Sequence, residues 1–217
     1  ELRTPLTVIK GTLEVLIRKQ RDSKEYEEKV NFCIAEVDHL NRLVDQLLLM
    51  ARSENKNDNI KYESVYLNAL ILDVLTLNSE KINHKKINMK FEAEADYYIH
   101  SDNYLVLTIL RNIISNAIKY TSEAGEISIS LTRQEDQIRC TVTDNGIGID
   151  QEDLETIFNP FYRSKSSEHP EIKGTGLGLS IVKRIADLLS ITFKVNSDKG
   201  KGTTVILDFK QPMKTLS

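Results

Sequence analysis

The sequence predicts an α+β protein in which a helical hairpin is followed by an α/β sandwich. Two long apolar stripes with helical spacing occupy residues 1–55, and residues 60–212 alternate between strand and helix patterns without a regular βαβ repeat. Seven of the nine glycines lie in three tight groups within this second part. Grouped glycines favour a few places where the backbone approaches a ligand, because random turns would scatter them more evenly.

Apolar residues near the N-terminus recur at steps of four and three, which is a heptad pattern. They are Leu2, Leu6, Ile9, Leu13 and Leu16. The polar stretch RDSKE interrupts this pattern, and a second stripe runs from about Lys24 to Ser53. A parallel row of Cys33, Leu40 and Leu47 widens the second stripe beyond what one partner helix covers. We therefore expect residues 1–55 to form a homodimeric four-helix bundle; a monomeric hairpin packed on the second domain is the alternative.

The composition is that of an ordinary soluble protein of one or two domains. Hydrophobic residues make up 40% of the chain and charged residues 28%, and the net charge of −3 argues against non-specific binding of nucleic acid. No run of about 18 apolar residues occurs, so no segment of this sequence is expected to span a membrane. Cys33 and Cys140 are expected to be buried free thiols.

The second part reads as alternating helices and strands. Helices are predicted at residues 67–82, 102–121, 151–158 and 174–189. Strands are predicted at residues 87–95, 126–133, 137–144, 191–197 and 203–209. Asp102 is expected to cap the N-terminus of the second helix. The last four strands form two hairpins, which predicts one sheet with helices on one face.

The helix at residues 102–121 carries a polar edge opposite its apolar face. On a helical wheel, Asn112, Asn116 and Lys119 gather on one side, with Tyr120 beside them. An amide oxygen suits a hard cation such as Mg²⁺, and a lysine suits phosphate. A solvated face is the alternative, but asparagine is a poor helix former, and two of them one turn apart cost stability. The pattern favours a binding function.

Two glycine motifs follow. In DNGIGID, residues 144–150, Asp144 ends a strand and could accept a hydrogen bond from an amine, while Gly146 and Gly148 would let a flat ring lie against the backbone. A tight turn is the alternative interpretation. In GTGLGLS, residues 174–180, glycines lead into a helix, which is typical of a phosphate cradle. This second motif matches neither the dinucleotide fingerprint nor the Walker loop.

Taken together, these stretches resemble the conserved boxes of the sensor histidine kinases of two-component systems. NIISNAIKYT resembles the N box, DNGIGI the G1 box, IFNPFYR the F box and GTGLGLS the G2 box; GKGTT resembles the short glycine turn near the end, and ELRTPLT the H box. The motifs stand in the family's order and cover nearly the whole chain. The resemblance implies an ATP-binding α/β sandwich of the Bergerat type, shared with gyrase, Hsp90 and MutL.

The resemblance also implies roles for individual residues. Asp144 would bind the adenine amine, with Gly146 and Gly148 beside the ring, and Asn116 would hold Mg²⁺ with the help of Asn112. Residues 159–173 would form the ATP lid. The remaining nucleotide contacts would come from Lys119, Tyr120, Ile149, Phe158, Arg163, Lys165, Gly174, Thr175, Gly176, Leu177, Gly178 and Thr203.

One position separates a kinase from the hydrolysing relatives, which place a glutamate one helical turn before the magnesium asparagine. Here that position is Asn112, which cannot activate water, so the γ-phosphoryl group is expected to be kept for another nucleophile. The family's histidine nucleophile would stand immediately before Glu1, and we expect this fragment to bind ATP without its phosphoacceptor. A hydrolysing ATPase and a non-catalytic nucleotide-binding scaffold remain the alternatives.

Within the family's reaction, Glu1 would assist phosphoryl transfer, and Thr4 would position water for dephosphorylation of a response regulator. The expected partners are therefore a second copy of the chain and a response-regulator receiver domain carrying the acceptor aspartate. The expected location of the fragment is the cytoplasm. Attachment to a membrane would come only through a segment upstream of Glu1.

Overall fold

The structure is a computed structural model of the 217-residue chain. It describes residues 3–51, 60–163 and 175–210. Contacts between Cα atoms divide the chain into two compact units, Glu1–Asn55 and Lys56–Ser217. None of the helices in the described part combines the length and the hydrophobicity that a bilayer-spanning segment needs.

The N-terminal unit is a helical hairpin of α1 (Arg3–Ile17) and α2 (Ser23–Ala51). Helix α2 begins where the Asp22 carboxylate accepts the Glu25 N–H at 2.7 Å, which satisfies one of the unpaired donors of its first turn. Leu16 is buried at the contact between the helices, but other large apolar side chains are exposed, Leu6 to 61% and Ile34 to 53%. The hairpin therefore carries apolar surface that its own two helices leave uncovered.

The C-terminal unit contains two sheets and four helices in the described residues. In chain order the elements are β1 (Glu63–Tyr66), α3 (Leu67–Leu77), α4 (Ser79–His84), β2 (Asn88–Ala93), β3 (Tyr98–Ser101), α5 (Asn103–Tyr120), β4 (Glu126–Gln134), β5 (Gln137–Asp144), α6 (Gly178–Leu189), β6 (Thr192–Asp198) and β7 (Gly202–Lys210). The large sheet has the strand order β2-β4-β5-β7-β6, and β1 pairs with β3 in a small separate sheet. Within the large sheet only β2 and β4 run parallel.

Alternation of side chains along the large sheet separates a buried face from a half-exposed one. In β4 and β5 every second residue is buried, and these buried residues are aliphatic or sulfur-containing: Ile127, Ile129, Leu131, Ile138, Cys140 and Val142. Helix α5 packs on this face with β5, and it also contacts α3 and α6. The predicted α+β architecture, a helical hairpin followed by a sheet with helices on one face, is confirmed.

Several local predictions are also confirmed. The Asp102 carboxylate accepts the Leu105 N–H at 3.0 Å and so caps α5. Cys33 and Cys140 are both free and buried, and burial raises the pKa of the Cys140 thiol to about 12. The four predicted strands after residue 125 form the two expected antiparallel hairpins, joined through β5 and β7.

Three local predictions were wrong. Residues 67–82 form two helices because the chain breaks at Asn78, whose side-chain amide donates to the Val74 carbonyl oxygen at 2.8 Å. Residues 151–158 form successive turns, in which hydrogen bonds span three residues, as from the Leu154 N–H to the Gln151 carbonyl oxygen at 3.3 Å. Strands β1 and β3 were missed, and the helix after the glycine motif begins only at Gly178.

The burial of α5 can be tested with a matched pair of leucines in helices of the same unit. Leu110 is fully buried on α5, whereas Leu72 on α3 is 51% exposed. We expect Leu110→Ala to lower the free energy of unfolding by about 3 kcal/mol and Leu72→Ala by less than about 1 kcal/mol. Urea unfolding followed by tyrosine fluorescence measures both. Equal losses would mean that α5 does not form the core.

Candidate functional site

The site is built around Asp144, the last residue of β5. Its Oδ1 accepts the N–H of Gly146 at 2.9 Å and the N–H of Thr203 at 3.2 Å. In the described part of the chain both of these hydrogen bonds end on Oδ1, so Oδ2 is available to a ligand. Burial raises the pKa of the Asp144 carboxyl, and the two backbone hydrogen bonds act in the opposite direction. The result is a rigidly held carboxylate with one acceptor oxygen to spare.

The glycines around Asp144 are required by contacts between backbone segments. A Cβ on Gly146 would lie 2.4 Å from the carbonyl oxygen of Tyr120. Gly148 has φ +66°, and a Cβ there would lie 2.0 Å from the carbonyl oxygen of Asp198. These positions therefore allow the loop after β5 to lie directly against the end of α5 and the final hairpin. Whether the same glycines also border a bound ring stays a prediction.

Ser197 on β6 joins the loop to the final hairpin. Its hydroxyl accepts the Ile149 N–H at 2.8 Å, and it lies 2.8 Å from the Gly202 carbonyl oxygen and 2.9 Å from the Thr203 hydroxyl. Ile149 and Thr203, both predicted site residues, thus meet through this one side chain. Sequence reasoning missed Ser197, because its alternating surroundings indicate only a strand.

The asparagine edge of α5 faces the first residue of α6. A Cβ on Gly178 would lie 3.0 Å from Oδ1 of Asn112 and 3.7 Å from Nδ2 of Asn116. The Asn112 amide group donates to the Thr108 carbonyl oxygen at 2.8 Å, which leaves its oxygen directed towards Gly178. The polar residues of this edge are half-buried rather than solvated: Asn112, Asn116, Lys119 and Tyr120. The amide groups of Asn112 and Asn116 therefore lie against the N-terminus of α6, and we call this place the α5–α6 junction.

The C-terminal end of α5 connects the α5–α6 junction to the loop after Asp144. The carbonyl oxygen of Tyr120 accepts the Ile147 N–H at 3.2 Å. Nζ of Lys119 lies 3.3 Å from the Tyr120 hydroxyl and 4.8 Å from the centre of its ring. The structure thus brings Lys119 and Tyr120 between the asparagine edge and the Asp144 loop.

The described part of the glycine motif leads into α6. Gly176 has φ +72°, and a Cβ there would lie within 3 Å of backbone atoms of Phe161 and Tyr162. The Leu177 N–H donates to the Thr175 hydroxyl at 3.4 Å. Gly176 is therefore required by its contact with the first residues of the expected lid.

Phe158 has a packing role in this structure. Its ring meets Phe193 of β6 edge to face, with 5.6 Å between ring centres. Nζ of Lys183 on α6 lies 5.3 Å from the centre of the same ring. These contacts tie the turns at residues 151–158 to the sheet edge and to α6.

The remaining predicted site residues are Thr4, Arg163, Glu1, Lys165 and Gly174. Thr4 is an exposed residue of the first turn of α1, in the N-terminal unit. Arg163 is exposed at the last described position before residues 164–174. Glu1, Lys165 and Gly174 lie outside the described residues.

The α5–α6 junction has groups of the kind that bind a magnesium-bound polyphosphate. Helix α6 presents the N–H groups of its first turn and the positive end of its dipole, which attract an anion. The Asn116 amide oxygen is a hard ligand of the kind that Mg²⁺ accepts, and this ion usually takes its other ligands from phosphate and water. Asp144, at the opposite end, offers an acceptor to a neutral amine. Groups that bind an anion at one end and an acceptor for a neutral amine at the other suit a nucleotide.

Comparison with known proteins gives matches along the whole chain. Residues 1–56 match the family model of the His Kinase A (phospho-acceptor) domain, and residues 101–213 that of histidine kinase-, DNA gyrase B- and HSP90-like ATPases. The chain is 32% identical over 208 residues to the sensor histidine kinase WalK of Bacillus subtilis; the match covers 94% of this chain and 34% of WalK. The chain thus spans about a third of the length of that relative.

Two solved structures are similar over nearly all of the chain. Histidine kinase AdeS of Acinetobacter baumannii has a TM-score of 0.74 at 25% identity, covering 97% of this chain and 96% of the other. Histidine kinase ThkA in complex with the response regulator protein TrrA has a TM-score of 0.71 at 25% identity, covering 99% of this chain and 60% of the other.

The convergence of backbone segments at Asp144 can be tested with two glycines of the final hairpin. Both have positive φ, but a Cβ on Gly202 would lie 1.9 Å from the Asp144 carbonyl oxygen, whereas Gly200 has nothing within 4 Å. We expect Gly200→Ala to lower the free energy of unfolding by about 1 kcal/mol, and Gly202→Ala by more than about 3 kcal/mol. Thermal and urea unfolding measure the difference. Similar losses in the two variants would show that the close approach is not needed.

Proposed function

Because this chain belongs to the sensor histidine kinases of two-component systems, we propose that it binds ATP with Mg²⁺ and supports transfer of the γ-phosphoryl group to a histidine. The observation that carries this proposal is the pairing of Asp144 with the α5–α6 junction. A fixed carboxylate stands at one end, and asparagine amides face the N-terminus of a helix at the other.

The adenine is proposed to bind at Asp144. Oδ1 is held by two backbone N–H groups, so Oδ2 would accept a proton of the exocyclic amine. The Thr203 hydroxyl, placed by Ser197, would border the same edge of the base. This arrangement selects a base that carries an amine, because a carbonyl oxygen at that point would face a carboxylate oxygen.

The phosphates are proposed to lie between α5 and α6. Asn116 would supply an oxygen ligand to Mg²⁺, which neutralises charge on the phosphates and fixes their geometry. Lys119 would add a cation, and the amides of Thr175 to Gly178 would donate to phosphate oxygens. Arg163, Lys165 and Gly174 belong to the same proposal through the family motifs.

Transfer rather than hydrolysis is proposed because of Asn112. Its side-chain amide donates to the Thr108 carbonyl oxygen and has no basic nitrogen, so it cannot take a proton from water. The γ-phosphoryl group would then persist until a better nucleophile approaches. We propose that this nucleophile is the histidine that precedes Glu1 in the family motif, with Glu1 assisting as a base and Thr4 serving dephosphorylation.

The partners are also proposed. The exposed apolar side chains of the hairpin, including Leu6 and Ile34, would be covered by a second copy of the chain in a four-helix bundle. The phosphoryl group would pass to an aspartate of a response regulator. One of the similar solved structures is that of histidine kinase ThkA in complex with the response regulator protein TrrA.

Phosphotransfer can be tested on the chain extended upstream by about 20 of its natural residues. We expect incubation with Mg²⁺ and γ-labelled ATP to give an acid-labile, base-stable label, and Asn116→Ala to lower its yield more than about tenfold. Label in phosphate released to solution measures hydrolysis, which we expect to be slow. ATP binding without label would overturn the kinase proposal in favour of a scaffold. Rapid release of phosphate would favour a hydrolysing ATPase.

Nucleotide affinity should also depend on pH through Asp144. The proposed acceptor is the ionised carboxylate, and burial raises the pKa of Asp144 above that of an ordinary aspartate. As the pH is lowered, the affinity for nucleotide should therefore begin to decline at a pH at which exposed aspartates are still ionised. Calorimetric titration with ADP between about pH 5 and pH 8 measures this.

Asp144→Asn is the matched control for that titration, because it binds the same nucleotide and so cancels the ionisation of ADP itself. We expect the variant to bind about tenfold more weakly at neutral pH, with a flatter profile on acidification. Parallel profiles for the two proteins would exclude the carboxylate as the acceptor.

A further inference from the structure

A lysine from outside α5 holds the C-terminal end of that helix. Nζ of Lys85 donates to the backbone carbonyl oxygens of Ile118 at 3.0 Å, Lys119 at 2.9 Å and Thr121 at 2.7 Å. An ammonium group has three protons, so these contacts use its full donor capacity. The acceptors are all backbone atoms, and they lie at or just beyond the last turn of the helix that carries the asparagine edge.

The neighbouring carbonyls of this turn have other donors. Tyr120 accepts the Ile147 N–H at 3.2 Å, and Ala117 accepts the N–H and the hydroxyl of Thr121 at 3.0 Å and 2.7 Å. The last carbonyls of a helix have no partner within the helix and carry the negative end of its dipole. Lys85 therefore supplies both the donors and the compensating charge at this end of α5.

The backbone that carries Lys85 is itself fixed. Lys85 is the residue that caps the C-terminus of α4. The Ile87 N–H donates to the Ile82 carbonyl oxygen at 3.0 Å, and Lys86 has φ +54°. This combination is a common way for a helix to end. The Lys85 carbonyl oxygen accepts the Ala124 N–H at 2.8 Å. Burial lowers the pKa of Lys85, as expected for an ammonium group drawn in from solvent. The side chain is thus directed at α5 from a defined position.

We propose that Lys85 is a positioning residue for the nucleotide site: it fixes the Lys119–Tyr120 end of α5 and, through it, the loop that follows Asp144. The coupling runs through Tyr120, whose carbonyl oxygen accepts the Ile147 N–H and would lie 2.4 Å from a Cβ on Gly146. A shift of this turn would displace the phosphate end and the adenine end together. The inference rests on the proposed function, because it concerns affinity for the same nucleotide.

The next residue in the chain provides a matched control. Lys86 has the same side chain one position away, but it is largely exposed and pairs with Glu123 on the surface at 2.9 Å. Replacing each lysine with methionine removes one ammonium group and keeps a similar apolar length. Only the replacement at Lys85 leaves the carbonyls of α5 without their donors.

The test measures the Kd for ADP with Mg²⁺ and, separately, unfolding in urea, on the 217-residue chain. We expect Lys85→Met to raise Kd about tenfold at a temperature where it is fully folded, and Lys86→Met to stay within about twofold of the unchanged chain. Lys85→Arg keeps the charge but not the three-way geometry, so its Kd should rise about threefold. A role in stability alone would weaken resistance to urea and leave Kd unchanged, which would overturn the inference.

Two further comparisons keep the result interpretable. If Lys85→Met does not fold, the inference is tested with Lys85→Arg instead. A Kd for ADP of Lys85→Arg equal to that of Lys86→Met would overturn the inference. Asn116→Ala is measured alongside. If the unchanged chain does not bind ADP, or binds it equally well without Asn116, the proposed function fails and this inference fails with it. If Asn116→Ala weakens the binding of ADP, the proposed function stands, and the Kd values of the Lys85 variants test the role of Lys85 alone.

Discussion

The site depends on the close approach of three backbone segments around Asp144. The end of β5, the start of β7 and the C-terminal end of α5 meet where Gly202 and Gly146 leave room for neighbouring carbonyl oxygens. This convergence allows one carboxylate oxygen to accept N–H groups from Gly146 and Thr203 at once. A larger residue at either glycine would separate the segments before any ligand contact was affected. The acceptor offered to a ligand is therefore a product of backbone packing.

Helix α5 carries that constraint across the unit. Its buried face, including Ile109, Leu110 and Ile114, fixes the rotation of the helix on the sheet. Because a helix repeats every 3.6 residues, fixing one face also fixes the opposite edge, where Asn112 and Asn116 face α6. The packing of the apolar face offsets the low helix propensity of the two asparagines. The core and the polar edge are consequently two results of one helix orientation.

The sequence was sufficient for features that depend on local periodicity. The apolar spacing predicted α5, the alternation predicted the hairpins of the large sheet, and Asp102 was recognised as a cap. The sequence was insufficient where distant segments meet. The residues next to Ser197 in the sequence do not indicate that its side chain contacts Ile149, and those next to Lys85 do not indicate that its side chain contacts the end of α5. In both cases the partner is remote along the chain.

The same limit explains the elements that were missed or misassigned. Strands β1 and β3 have four residues each and exist through their mutual pairing, which no local pattern reveals. The segment at residues 151–158 has helical spacing, but it forms turns that are held in place by Phe158 against Phe193. The sequence shows where the glycines cluster, but the contacts of Gly146 and Gly148 with the carbonyl oxygens of Tyr120 and Asp198 became visible only in the structure.

The two helix ends near the α5–α6 junction explain how a chain with a net charge of −3 can carry the anion site that we propose. The positive end of helix α6 lies at this junction, whereas α5 brings its negative end close to the same region. An uncompensated α5 terminus would repel phosphate, but Lys85 occupies three of its carbonyl oxygens with one ammonium group. The anion would then meet the N–H groups of α6 and the amides of α5 rather than bare carbonyls. The local field follows from the orientation and capping of two helices, and the overall charge of the protein has little influence on it.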